Sequence, residues 1–274
     1  TEGQNRVRRA RRVLAGRGLV EAITWSFIKE AEAKHFGGGG ESLEVANPIS
    51  SEMTHMRPSL LPGLMAAAQR NRDRGYADVG LFEVGQAYLG DAPEDQIMVA
   101  GGVRAGNIRL SGAGRHWDAA SSSAGVFDAK ADAGAVLLAL GVDPAKAQVT
   151  RDAPAWYHPG RSGVLRLGPK VILAHFGEIH PETLKALKVD APVVAFEVFL
   201  SALPPPRRKP TRAKPPLGAL DLQPVRRDFA FLVKREVAAG EIIKAAQGAD
   251  KKLIAGVNVF DVFDGGRLAE EGKK

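Results

Sequence analysis

The chain has 274 residues, carries a net charge of +7, is 45% hydrophobic and contains no cysteine. Such an apolar fraction supports a packed core and excludes wholesale disorder, while the lack of cysteine excludes disulfides, thiolate nucleophiles and cysteine-bound zinc. No apolar run reaches the roughly 18 residues of a membrane span, and the basic start leads into no signal-type apolar segment, so a cytoplasmic protein with no membrane partner is expected.

In chain order, the spacing predicts a helix over 6–15, with Val7, Ala10 and Leu14 on one face and arginines on the other. A strand is predicted over 19–27, with Ile23, Trp25 and Phe27 on one side, then a tetraglycine loop at 37–40 and a strand at 42–46. A helix follows over 59–74, its stripe formed by Leu60, Leu61, Leu64, Met65 and Ala68. Strands are predicted at 79–89, 96–104, 148–151, 162–167, 170–176 and 193–199, with helices at 129–140 and 181–188. Strands joined by short turns, with helices inserted unevenly, define an α+β class with a largely antiparallel sheet.

Prolines punctuate 204–216 and exclude both helix interior and central strand there, so 204–218 reads as an extended linker. It separates a domain at 1–203 from a module at 219–274. That module reads as a strand over 228–233, a helix over 238–249 and a strand over 253–263, half of a ferredoxin-like β-α-β-β-α-β unit. Its third strand would lie between the first two, so the sequence is expected to be a piece of a longer protein. The segment 204–235 holds nine Lys or Arg against Asp221 and Asp228, while the rest of the chain is balanced. Charge concentrated in this way points to a polyanionic partner; a self-repelling solvated linker is the plainer alternative.

Familiar catalytic signatures are missing. Gly37–Gly40 has neither the Lys-Ser/Thr of a phosphate-binding loop nor the strand-to-helix context of a dinucleotide fingerprint. The histidines lack metal-ligand spacing, His175 and His180 falling on opposite faces by strand alternation, and Ser121–Ser123 has no nucleophile elbow. The stretch Arg57-Pro58-Ser59-Leu60-Leu61-Pro62-Gly63-Leu64 reads equally as a core helix capped by Ser59 or as a partner-binding helix. Trp156-Tyr157-His158-Pro159-Gly160-Arg161 reads as core aromatics or as a binding platform. Around Arg226-Arg227-Asp228-Phe229-Ala230-Phe231 and Phe260-Asp261-Val262-Phe263, basic residues precede aromatics that share a strand face, a pattern suited to RNA or simply to covering a helix.

Taken together, these stretches resemble the C-terminal part of the bacterial phenylalanine–tRNA ligase (phenylalanyl-tRNA synthetase) β-subunit family. The matching residues include Asn47-Pro48, Arg57 to Leu64, Leu81-Phe82-Glu83-Val84-Gly85, Phe127-Asp128-Ala129-Lys130, Tyr157 to Ser162, Phe176-Gly177-Glu178-Ile179-His180-Pro181, Phe196-Glu197, Arg227 to Phe231 and Phe260 to Phe263, in family order over nearly the whole chain. The resemblance implies a catalytically degenerate class II synthetase-like core at 1–203 and a truncated ferredoxin-fold anticodon-binding domain at 219–274. It implies a ligase subunit that is itself non-catalytic, packs against the catalytic α subunit in an (αβ)₂ assembly, and helps to position tRNA(Phe). ATP and Mg²⁺ then belong to the α subunit, with no cofactor, metal or catalytic residue assigned to this chain.

Subunit-interface candidates are Met53, Met56, Arg57, Leu60, Leu61 and Leu64. RNA-binding candidates are Arg207, Arg208, Lys209, Arg226 and Arg227. In the family's catalytic relatives an Arg-x-Glu strand grips the ATP phosphate, a task that suits a forked guanidinium. Here the strand reads Leu81-Phe82-Glu83 and has no arginine. The family's editing modules have no counterpart in the sequence, so no editing is assigned. The alternatives are a free-standing RNA-binding protein with a borrowed synthetase fold and an independent class II-like ligase with a different ATP site.

Overall fold

The computed structural model describes residues 1–108, 122–205 and 222–274, so Arg207, Arg208 and Lys209 lie outside the described residues. The chain divides into two units, Thr1–Lys209 and Pro210–Lys274. In chain order the first holds α1 (Glu2–Gly16), β1 (Val20–Glu21), β2 (Phe27–Ile28), α2 (Glu30–His35), β3 (His55–Met56), α3 (Leu61–Asp73), β4 (Val79–Tyr88), β5 (Gln96–Ala105), α4 (Val126–Ala139), β6 (Gln148–Thr150), β7 (Tyr157–Leu167), β8 (Val171–Ile179), α5 (Pro181–Ala186) and β9 (Val193–Phe199). The second holds α6 (Ala239–Ala249) and α7 (Gly266–Glu270).

Seven strands form one sheet in the order β1-β4-β5-β9-β8-β7-β6, antiparallel except where β1 runs parallel to β4. The central strands are buried on both faces. Phe82, Val84, Ala100, Val194, Phe196 and Val198 face a core closed by α1 and α4. Leu81, Val99, Val103, Val193 and Ala195 alternate to the other face, where Leu60, Leu61, Leu64 and Met65 cover them. This two-layer burial explains why β4, β5 and β9 read as nearly continuous apolar runs. Asp128 accepts the Gly125 N–H at 2.8 Å and so caps α4, the local reason that helix begins at Val126.

Two adjacent glycines in β5 mark close approaches on opposite faces. A Cβ on Gly102 would stand 2.5 Å from Cε1 and 2.7 Å from Cζ of Phe196, and 3.1 Å from the Leu81 carbonyl. Gly102→Ala is therefore expected to destabilise the first unit by about 1–3 kcal/mol in urea unfolding. Gly16→Ala, with open space around it, should shift the midpoint little; equal effects at the two sites would contradict the packing argument.

Several sequence expectations are corrected. The predicted strand over 19–27 is laddered only at Val20–Glu21 and Phe27–Ile28, and Ile23 and Trp25 are 89% and 65% exposed. The expected strand at 42–46 is a single 3₁₀ turn, Glu41–Leu43, followed by an isolated bridge from Glu44 to His55. In the second unit α6 forms where expected, but 228–233 and 253–263 are not strands. In a ferredoxin-like order these two segments are not neighbours, so neither offers the other a ladder partner, and no strand stands between them among the described residues. His180 is not a strand residue but the cap of α5, its Nδ1 accepting the Glu182 N–H at 3.2 Å.

Candidate functional site

Four side-chain positions lie in one row across the large sheet: Glu83 on β4 opposite Gly101 on β5, Gly101 opposite Glu197 on β9, and Glu197 opposite His175 on β8. Strand alternation places the row on the face covered by α3. This row includes Glu83, the glutamate of the Leu81-Phe82-Glu83 stretch.

Both carboxylates are engaged by the segment that leads into α3. Glu83 Oε1 meets Arg57 Nη2 at 2.9 Å, and its Oε2 accepts the Thr24 hydroxyl at 2.7 Å and the Thr24 N–H at 3.2 Å. Arg57 also donates from Nε to the Gln86 carbonyl and from Nη1 to the Thr24 hydroxyl, each at 2.9 Å. Glu197 Oε1 accepts the Ser59 hydroxyl at 2.8 Å and the Leu60 N–H at 3.0 Å, while Ser59 Oγ accepts the Leu61 N–H at 3.1 Å. The N-cap of α3 is Leu60 and not Ser59 as the sequence suggested; Ser59 stands one residue earlier and its hydroxyl accepts the Leu61 N–H from there. Between the carboxylates, Leu60 sits over Gly101, its Cβ and Cδ1 only 3.3 and 3.4 Å from where a Gly101 Cβ would be. The chain's own Arg57–Leu60 segment therefore fills this stretch of the face. A charged pair so enclosed is satisfied internally and presents no free guanidinium or carboxylate to a ligand.

Burial pushes the Glu197 carboxyl up to about 7, against the lowering effects of the Leu60 N–H, the Ser59 hydroxyl and Arg57. Burial also lowers His175 to about 4, and raises the fully enclosed Tyr157 hydroxyl well above its ordinary value. Tyr157 is buried in the core on the α3 face and the partly buried Trp156 packs against it, which favours the core reading of these aromatics. Arg161, beside them in sequence, is engaged with Glu178 at 2.5 Å.

The interface candidates divide sharply. Leu60, Leu61 and Leu64 are completely buried in this chain's own core, and Arg57 is buried in its pair with Glu83, so none offers surface to a partner in this fold. Met53 and Met56 are half-buried. Exposed apolar side chains in this part of the chain include Ile49 and, against the strand reading, Ile23 and Trp25. In the second unit Arg226 and Arg227 are exposed, as are Phe229, Phe231, Phe260 and Phe263, with the Phe229 and Phe231 rings stacked at 6.3 Å. Among the described residues no three His, Asp or Glu side chains converge on a metal position, and no helix is long and apolar enough to cross a membrane.

A two-faced antiparallel sheet with this helix arrangement is a class II synthetase-like α+β core. The pyrrolysyl-tRNA synthetase of Desulfitobacterium hafniense superposes on 72% of this chain and 66% of its own with a TM-score of 0.52 at 15% identity, a likeness of fold. Residues 1–200 match the phenylalanyl tRNA synthetase beta chain CLM domain, and residues 221–274 match the ferredoxin-fold anticodon binding domain. The chain belongs to the phenylalanyl-tRNA synthetase β-chain family. It is 56% identical over 271 residues to the phenylalanine–tRNA ligase beta subunit of Bradyrhizobium diazoefficiens, covering 99% of this chain and 34% of that protein. The corresponding values are 56% over 266 residues for Rhodopseudomonas palustris (97% and 33%) and 55% over 271 for Brucella suis (99% and 34%). The chain thus spans about a third of the length of these relatives.

Proposed function

We propose that this chain is the part of a phenylalanine–tRNA ligase β subunit that supports ATP-dependent attachment of phenylalanine to tRNA(Phe) without performing the chemistry. The observation carrying this reading is the occupied sheet face: Arg57 and Thr24 saturate Glu83, and Leu60 covers Gly101, where a catalytic core needs open space. ATP and Mg²⁺ belong to the α subunit, against which residues 1–203 pack in an (αβ)₂ assembly. Residues 204–218 link that core to the anticodon-binding module at 219–274, where Arg226 and Arg227, with Arg207, Arg208 and Lys209, meet the tRNA backbone. The contribution to rate is positional: the subunit holds tRNA and the catalytic partner in a productive arrangement, so their encounter is effectively unimolecular.

ATP–pyrophosphate exchange tests the reading. The chain alone is expected to show no phenylalanine-dependent exchange, whereas the chain with α forms a stable, active complex. Exchange by the chain alone would overturn it, and RNA binding with no α complex would favour a free-standing RNA-binding protein. Ile23 and Trp25 form the surface we assign to that partner. Trp25→Ala should weaken the complex at least about tenfold while leaving the chain's own unfolding midpoint in place. Leu60→Ala should instead destabilise the chain itself by about 2–5 kcal/mol. Calorimetric titration with α and thermal unfolding of each variant separate the two effects.

A further inference from the structure

The outer face of α1 carries arginines that the fold does not use. Its neighbours show what use looks like. Arg6 donates to the Leu200 and Leu203 carbonyls at 2.9 Å, Arg11 pairs with Glu21 at 2.7 Å, and Arg17, the C-terminal cap, pairs with buried Asp132. Arg8, Arg9 and Arg12 are exposed and form no ion pair among the described residues; Arg8 touches only Asn5, at 2.7 Å. Arg8 and Arg12 stand one turn apart, about 6 Å along the axis, with Arg9 beside them. Like charges at this spacing repel and weaken the helix, and no acidic side chain on the face offsets that. A local cost with no internal compensation marks a surface shaped by something outside the chain.

We infer that this face of α1 binds an RNA phosphate backbone, making a second RNA contact in the first unit apart from Arg226 and Arg227. The inference rests on the proposed tRNA-positioning role for its polyanion. A row of forked, permanently charged guanidiniums suits phosphate oxygens, and it carries no apolar side chain of the kind that anchors a protein interface.

The test is fluorescence anisotropy of a labelled tRNA(Phe) transcript with the full chain between about 50 and 200 mM salt. Arg8→Ala/Arg9→Ala/Arg12→Ala should reduce the salt slope by about 2 and weaken binding at least tenfold at the low-salt end. The corresponding triple lysine variant should keep the slope, because it keeps the charge. Thermal unfolding of the alanine variant should be unchanged or slightly raised, since the repulsion is removed. An unchanged slope in the alanine variant overturns the inference, including the case in which that variant loses an acidic protein partner instead. If Arg226→Ala/Arg227→Ala flattens the slope and the α1 variant does not, RNA positioning stands and the α1 site falls. If the unaltered chain binds no RNA, both fall.

Discussion

Asp132→Ala is expected to destabilise the first unit by about 3–5 kcal/mol. Asp132 lies on the core side of α4 with its carboxylate fully enclosed. Arg104 from β5 grips it with two nitrogens, Nε at 2.7 Å and Nη2 at 3.0 Å, and Arg17 at the end of α1 completes the triad. Arg104 Nη2 also donates to the Arg17 carbonyl at 3.1 Å, so one carboxylate ties together two helices and the sheet. The alanine variant strands a buried guanidinium, and that uncompensated charge, rather than the net worth of the pair, sets the size of the loss. For a unit of this length the thermal midpoint should fall by about 6–20 °C. Replacing both buried partners, Asp132→Leu with Arg104→Met, should recover most of the loss, because an apolar pair of similar volume removes the stranded charge. A single-variant loss below about 1 kcal/mol, or a double variant no better than the single, would show that the triad is not what joins these elements.

Where burial and periodicity agree, the sequence was legible. The strand over 193–199 and the helix before Asp73 match their predicted bounds to within two residues, because apolar runs and the Pro62-Gly63 step leave few alternatives. Failures occur where a pattern is real but its partner is not local. Ile23, Trp25 and Phe27 alternate as in a strand, yet Thr24 turns its N–H and hydroxyl to the side chain of Glu83 rather than to a backbone ladder. The segments 228–233 and 253–263 have the composition of strands, but strands exist only in pairs. The same limit governed the candidate site. Arg57, Glu83 and Glu197 each stand in a recognisable motif, but only the fold shows that Arg57 satisfies Glu83 from 26 positions earlier in the chain, or that Ser59 reaches Glu197 across 138. For the same reason the Leu60–Leu64 stripe, equally suited to core or partner by sequence, is resolved only by the strands beneath it.

Glu197 should make the unit less stable as pH rises, by about 3 kcal/mol in all. Its carboxyl titrates near 7 in the fold, against 4.5 when unfolded. The stabilisation is therefore fully present below about 4.5 and lost as pH climbs through 7, because in that window the folded state holds a proton that the unfolded state has released. His175, its cross-strand neighbour, works in the opposite sense. Lowered from 6.5 to about 4, it contributes stability that is present above 6.5 and lost as pH falls through 4. Between about 4.5 and 6.5 the two slopes oppose each other, so the unaltered protein should look nearly insensitive to pH there despite two strongly shifted groups. Glu197→Gln separates them. Its amide oxygen still accepts from Ser59 and the Leu60 N–H, and the proton linkage is gone. Compared with the unaltered chain, the variant should gain relative stability from pH 5 to about 7 and level off above it, and its own curve should expose the histidine's rise. Urea unfolding at half-unit pH intervals measures the difference. A difference that stays flat across that range would mean Glu197 is ionised throughout, with Arg57 and the Ser59–Leu60 donors outweighing its burial.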